Sequence, residues 1–156
     1  MDRCVMCGAT ELRDVAEAVE VTIGPRSFTG AVPALACPKC GETYTDGPGL
    51  VALEREAARW LAAHGFATGA ELRFMRKAAG LRAVDLAELL DVAPETVSHW
   101  ETGKHAPDRS TLATVAALAL DALDGSTATR DRLRALRERP PLAKVRLELP
   151  AVRVAT

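Results

Sequence analysis

The sequence predicts an α+β chain: a small N-terminal β-hairpin module holding every cysteine, followed by a C-terminal all-α domain of short helices. Three observations carry this. Strand-type alternation lies between two C-x-x-C pairs in the first 40 residues. From residue 50 onward apolar residues recur at helical spacing, punctuated by Gly and Asp. The 156 residues include 29 alanines, the best helix former. Alanine is also small, so the 48% hydrophobic content overstates the core. Two small, independent cores are expected rather than one large one, and a thin core calls for a staple.

The net charge of −1 excludes a polycation that wraps nucleic acid nonspecifically, but not a compact DNA reader with a local basic patch. No stretch approaches eighteen apolar residues, so no membrane span is expected. With no apolar signal region near the N-terminus, the expected location is cytoplasmic, where disulfides rarely persist.

Four segments follow in order. Residues 1–46 form the cysteine module. Val19, Val21 and Ile23 alternate with Glu20 and Thr22; Gly24-Pro25-Arg26 turns the chain; Ser27–Ala36 returns toward Cys37. Val15–Ala18 suits either strand or helix. Asp46-Gly47-Pro48-Gly49 reads as a breaker, and residues 47–69 hold a connector helix over 50–64, with Leu50, Leu53, Ala57, Trp60, Leu61 and His64 on one stripe. Residues 70–124 read as helices Glu71–Ala79, Ala83–Leu90, Pro94–Thr102 and Arg109–Leu123. Residues 125–156 form a basic C-terminal helix, about 127–138, and a strand-like tail in which Val145, Leu147 and Leu149 alternate with Lys144, Arg146 and Glu148.

Cys4-Val5-Met6-Cys7 and Cys37-Pro38-Lys39-Cys40 have the spacing of a four-thiolate zinc site. A two-residue gap lets one tight turn aim both sulfurs at one ion, and Gly8 and Gly41 permit the φ > 0 that closes each knuckle. Disulfides, a redox pair and an iron–sulfur site are the alternatives; compartment, motif context and cysteine spacing weigh against them. Four thiolates leave no open position, so Cys4, Cys7, Cys37 and Cys40 are expected to hold one structural zinc per chain. None of His64, His99 and His105 has ligand spacing with them.

Residues 71–107 have the physical content of a helix-turn-helix. Leu86, Ala87 and Leu90 face inward, Val92 fills the turn, and Val97 and Trp100 pack under the second helix. Trp60 and Trp100 read as core. Pro94 suits a first helical turn. Glu95, Ser98, His99 and Thr102 then face a major groove, with Thr96 beside them. His99 is the first base-edge candidate and Ser98 the second, while Glu95 is placed to accept from cytosine N4. Lys104 and Arg109 are the phosphate contacts.

This stretch resembles the Cro/phage-repressor (XRE) type of helix-turn-helix over about 55 residues, most specifically Val97–Lys104 followed by Pro107. Arg82 and Ala83 stand where that family has Ser or Thr and then Gln, and Ala93 where it has Ser, so both helix caps are weakened by about 1 kcal/mol. Arg82 replaces the phosphate-contacting Gln electrostatically. The joint order of zinc module, connector helix and helix-turn-helix over residues 1–124 resembles the MqsA antitoxin family, with its YgiT-type zinc finger.

That resemblance implies the four cysteines as zinc ligands, a homodimer on palindromic double-stranded operator DNA that represses its own operon, and neutralisation of a ribonuclease toxin by the N-terminal module. The family's base-reading Asn and Arg fall at Glu95 and His99. The alternative is a zinc-containing XRE-family transcriptional regulator without a toxin partner; a third reading is a zinc-stabilised interaction module without DNA binding. No enzyme is expected. The charge is segregated: −3 over 1–66, −3 over 67–124 and +5 over 125–156. An acidic head suits a basic partner, and the basic tail suits phosphate.

Overall fold

The computed structural model describes residues 3–138, 144 and 146–148. The layout is α+β, as the sequence predicts. β1 (Arg13–Ile23) and β2 (Arg26–Ala36) form an antiparallel hairpin in unbroken register from Arg13↔Ala36 to Ile23↔Arg26. Val15–Ala18 thus belongs to a strand. Arg26 is the first paired residue rather than part of the turn, which leaves Gly24-Pro25 as a two-residue loop; Gly24 has φ 58°, the sign that a type II′ hairpin requires at that position. A third strand that the sequence did not suggest, β3 (Thr43–Thr45), pairs with β2.

The period of two puts Glu17, Val19, Val21 and Ile23 on one sheet face with Arg26, Phe28, Gly30, Val32 and Ala34. A hairpin cannot cover such a face alone. α1 (Gly47–His64) lies across it so closely that a Cβ on Gly30 would sit 2.7 Å from Leu53 Cδ1. The expected breaker at 46–49 is in fact the start of α1: Asp46 accepts from the Gly49 amide at 2.8 Å, and Pro48 sits in the first turn, where a missing N–H costs nothing.

Five helices follow: α2 (Gly69–Ala78), α3 (Ala83–Leu90), α4 (Pro94–Glu101), α5 (Arg109–Leu123) and α6 (Ala128–Glu138). Buried Ala57, Ala58 and Leu61 of α1, Leu72 and Met75 of α2, Leu86 of α3, Val97 of α4, and Val115 and Leu118 of α5 form one hydrophobic cluster. Ile23 belongs to it, and Val21 and Phe28 pack against it. The expectation of two independent cores is therefore corrected: the turn end of the hairpin is inserted into the helical core, because its apolar face has no other cover. Among the described residues, only the cysteine end, with Cys4, Val32, Ala34 and Cys37, has hydrophobic residues buried apart from that cluster.

Trp60 is not a core residue: it is 42% exposed, packing edge-on to Phe28 and stacking on His64. Trp100 is partly buried against the cluster. α6 buries no residue fully; Leu133 rests on the core, and Arg137 pairs with Glu88 of α3 at 2.9 Å. The tail strand expected from 144 lies largely outside the described residues; Lys144 and Arg146–Glu148 belong to no strand among them.

Candidate metal centre and nucleic-acid interface

Two near-identical knuckles hold the cysteines. In the first, the Gly8 amide donates to Cys4 O at 2.9 Å and the Cys4 amide to Ala9 O at 2.7 Å. In the second, Gly41 donates to Cys37 O at 2.9 Å and Cys37 to Glu42 O at 2.8 Å. Gly8 and Gly41, at φ 72° and 78°, close these turns as the sequence predicts. The hairpin brings the knuckles together, and all four sulfurs lie within 4.8 Å of one another. Cys4 and Cys40 are separated by 3.5 Å, and Cys7 and Cys37 by 3.6 Å. Four convergent sulfurs without an open position suit one tetrahedral metal ion that favours sulfur.

Tyr44 on β3 was not legible as part of this site. The Val5 amide donates to its Oη at 3.0 Å, leaving its own O–H to donate to Cys4 Sγ at 3.2 Å. This hydroxyl, with the Cys7 and Met6 amides, holds the Cys4 thiol down at about 6. The Glu42 amide lowers Cys40, but the other three thiols and burial outweigh it and push Cys40 up to about 12. The four sulfurs also differ in exposure: Cys4 and Cys37 are buried, Cys7 is partly covered and Cys40 is exposed.

The second site is built on α3 and α4. α3 ends at Asp91, in the left-handed region at φ 55°; Val92 fills the turn and α4 starts at Pro94 with no side-chain cap. The same absence was expected at α3. Here Asp85 reaches back to the Arg82 amide at 2.9 Å, which satisfies one amide at that end. Behind α4, Arg76 donates from Nε and Nη2 to the Glu101 carboxylate (2.5 and 3.1 Å) and from Nη1 to Leu81 O (2.6 Å). This buried fork ties α2, the start of the α3 segment and the recognition helix into one unit.

Glu95, Ser98 and Thr102 are exposed, while Thr96 and His99 are partly buried. His99 is held from two sides: Lys104 Nζ donates to its Nε2 at 3.3 Å, and the His105 ring lies 5.3 Å away, edge to face. His105 was not singled out from the sequence. Thr102 spends its hydroxyl proton on Ser98 O at 2.8 Å, leaving only acceptor capacity. Lys104 and Arg109 are exposed at the two ends of the loop after α4. Arg82 is exposed but not free: Asp85 binds its guanidinium at 2.9 and 2.7 Å. That pairing, together with the Arg82 amide, lowers the Asp85 carboxyl to about 2, so Arg82 offers a phosphate a shared charge.

Residues 67–133 match a helix-turn-helix domain family. No curated protein matches the chain. The match covers α2 to the first half of α6, including the recognition helix. Together with a cysteine cluster that could hold one metal ion, the match supports a transcription-regulator role. Among the described residues no helix is long and apolar enough to cross a membrane.

Proposed function

We propose that the chain is a zinc-stabilised repressor of the antitoxin type. As a homodimer it binds palindromic operator DNA through α4, silences its own operon, and neutralises a ribonuclease toxin through the N-terminal module. The observation that carries the DNA-binding part is the placement of Glu95, Ser98 and His99 on the outer face of a helix whose inner face is locked by Val97 and the Arg76–Glu101 pair. Zinc is the metal that the four-sulfur set favours, one ion per chain in a structural role. The toxin-binding part is supported by the acidic character of residues 1–66 and by Val5 and Met6, which stand 74% and 70% exposed at the tip of the first knuckle. An acidic surface with an apolar tip suits a basic protein partner.

A second reading, a zinc-containing regulator without a toxin, is favoured by one observation: the hairpin is docked into the helical core rather than held away from it. One experiment tests the DNA contact common to both readings, and a second separates them. In a gel shift at controlled salt, His99→Ala is expected to weaken operator binding by about 1–3 kcal/mol with the fold retained. Unchanged affinity would remove His99 from the interface. Co-expression with the product of the adjacent gene is expected to yield a stable complex that dissociates when Val5 and Met6 are replaced by Ser. A neighbour that is no small basic ribonuclease, or that fails to co-purify, favours the second reading.

A further inference from the structure

We propose that Cys40 is a modification site, the thiolate at which a hydroperoxide opens the metal centre. The four sulfurs differ in what surrounds them. Cys4 and Cys37 are each 1% exposed. The Tyr44 hydroxyl also lies on Cys4 Sγ, at 3.2 Å. Cys7 is partly covered. Cys40 is the exposed member of the four. Burial withdraws a thiolate from electrophiles, so the exposed sulfur reacts first. The resolving thiolate is already in place, with Cys4 Sγ 3.5 Å from Cys40 Sγ.

The chemistry balances as two steps. The Cys40 thiolate attacks one peroxide oxygen; the O–O bond breaks, a sulfenic acid forms and hydroxide leaves. Cys4 thiolate then attacks the sulfenic sulfur; the S–S bond forms and a second hydroxide leaves. Two sulfurs are oxidised, one peroxide is reduced, and the ion keeps only Cys7 and Cys37, too few to hold it. This inference rests on reading the cluster as a zinc centre.

The test uses the full zinc-loaded chain. Elemental analysis is expected to give one zinc per chain before any oxidant is added. Substoichiometric hydrogen peroxide is then added with a sulfenic-acid trap, and cysteine peptides are identified by mass spectrometry. Trap adducts are expected at Cys40 at least about threefold ahead of each other cysteine. Without the trap, a Cys4–Cys40 disulfide and one zinc released per peroxide consumed are expected, read with a chromophoric chelator. Zinc present but adducts first on Cys4, Cys7 or Cys37, or peroxide consumed with zinc retained, would overturn the assignment of Cys40 while leaving the zinc reading standing. A chain that takes up no zinc overturns both.

Discussion

Arg26, the first residue of β2, donates from Nη1 to Glu71 Oε1 at 2.5 Å and to Gly65 O at 2.9 Å, so the hairpin turn is fastened to the first turn of α2. Glu71 is 1% exposed and also accepts from the Ala67 and Thr68 amides and the Thr68 hydroxyl. One carboxylate thus caps α2 and anchors the cysteine module. Glu71→Ala leaves those donors and a guanidinium without their acceptor and is expected to cost about 2–3 kcal/mol. Arg26→Ala leaves the cap intact and removes a one-third-exposed partner, so about 1–2 kcal/mol is expected. Urea unfolding of both variants checks the order; equal losses would mean that the anchor, not the cap, carries the effect.

The same carboxylate sets an acid limit. Burial raises its pKa, but the Thr68 and Ala67 amides, the Thr68 hydroxyl and Arg26 outweigh burial and hold it below its ordinary 4.5. A depressed carboxylate stabilises the fold fully above its unfolded pKa and loses that stabilisation as pH falls through its folded pKa. Stability should therefore decline below about pH 4.5 more steeply in the parent chain than in Glu71→Gln. Asp85, Asp108 and Asp121 are lowered too, but they are common to both proteins and cancel in the comparison. Parallel acid limbs in denaturant titrations over that range would exclude Glu71 as the source.

Much of this fold was legible because its local signals agree with its tertiary demands. The C-x-x-C pairs, the alternation at Val19–Ile23 and the apolar spacing of α3 and α4 each have one physical solution. What escaped notice depends on long-range contact. Nothing local says that Ile23 joins the helical core, so the hairpin read as a separate unit. Tyr44 stands four residues after Cys40 but meets Cys4 only through the β2–β3 pairing. Asp46–Gly49 reads equally as a turn or as a capped helix start; the Asp46 side chain decides it. On α4 the sequence named Glu95, Ser98 and Thr102, which are exposed, but not that Arg82 is claimed by Asp85 or that His99 is partly buried and braced by Lys104.

At Gly69 the backbone of α2 lies directly against the end of α4. A Cβ there would lie 2.4 Å from the carbonyl oxygens of Trp100 and Glu101. Both are backbone atoms at the end of α4, so no side chain can move aside. Gly69→Ala is expected to force the helices apart at a cost of about 1–3 kcal/mol. Operator affinity is expected to fall with it, because the proposed base-reading face moves with α4. Thermal unfolding and a gel shift read the two effects; loss of stability with full affinity would show that α4 keeps its position.

Asp91 closes α3 at φ 55° without glycine's freedom. The left-handed region costs an L-residue roughly 1–2 kcal/mol, less for Asp than for most. Asp91→Gly is expected to raise stability by up to about 1 kcal/mol, and Asp91→Val to lower it by a similar amount or more. The midpoint of urea unfolding should move in opposite directions for the two variants. A loss in both would mean that the Asp side chain contributes more than its backbone strain costs.

Metal removal distinguishes one body from two. Because Ile23 lies in the helical core and Arg26 reaches Glu71, a chelator acting at the cysteine end should be felt by the helices. Most helical circular dichroism at 25 °C should survive, since α2–α5 share a core of their own. The thermal midpoint of the helical signal should still fall, as the docked hairpin loses the order that the ion imposes. In Arg26→Ala, where the anchor is cut, the fall on chelation should be smaller. That non-additivity is the signature of a shared contact. A helical midpoint unmoved by chelation in the parent chain would show instead that the two ends unfold independently, despite the packing of Ile23.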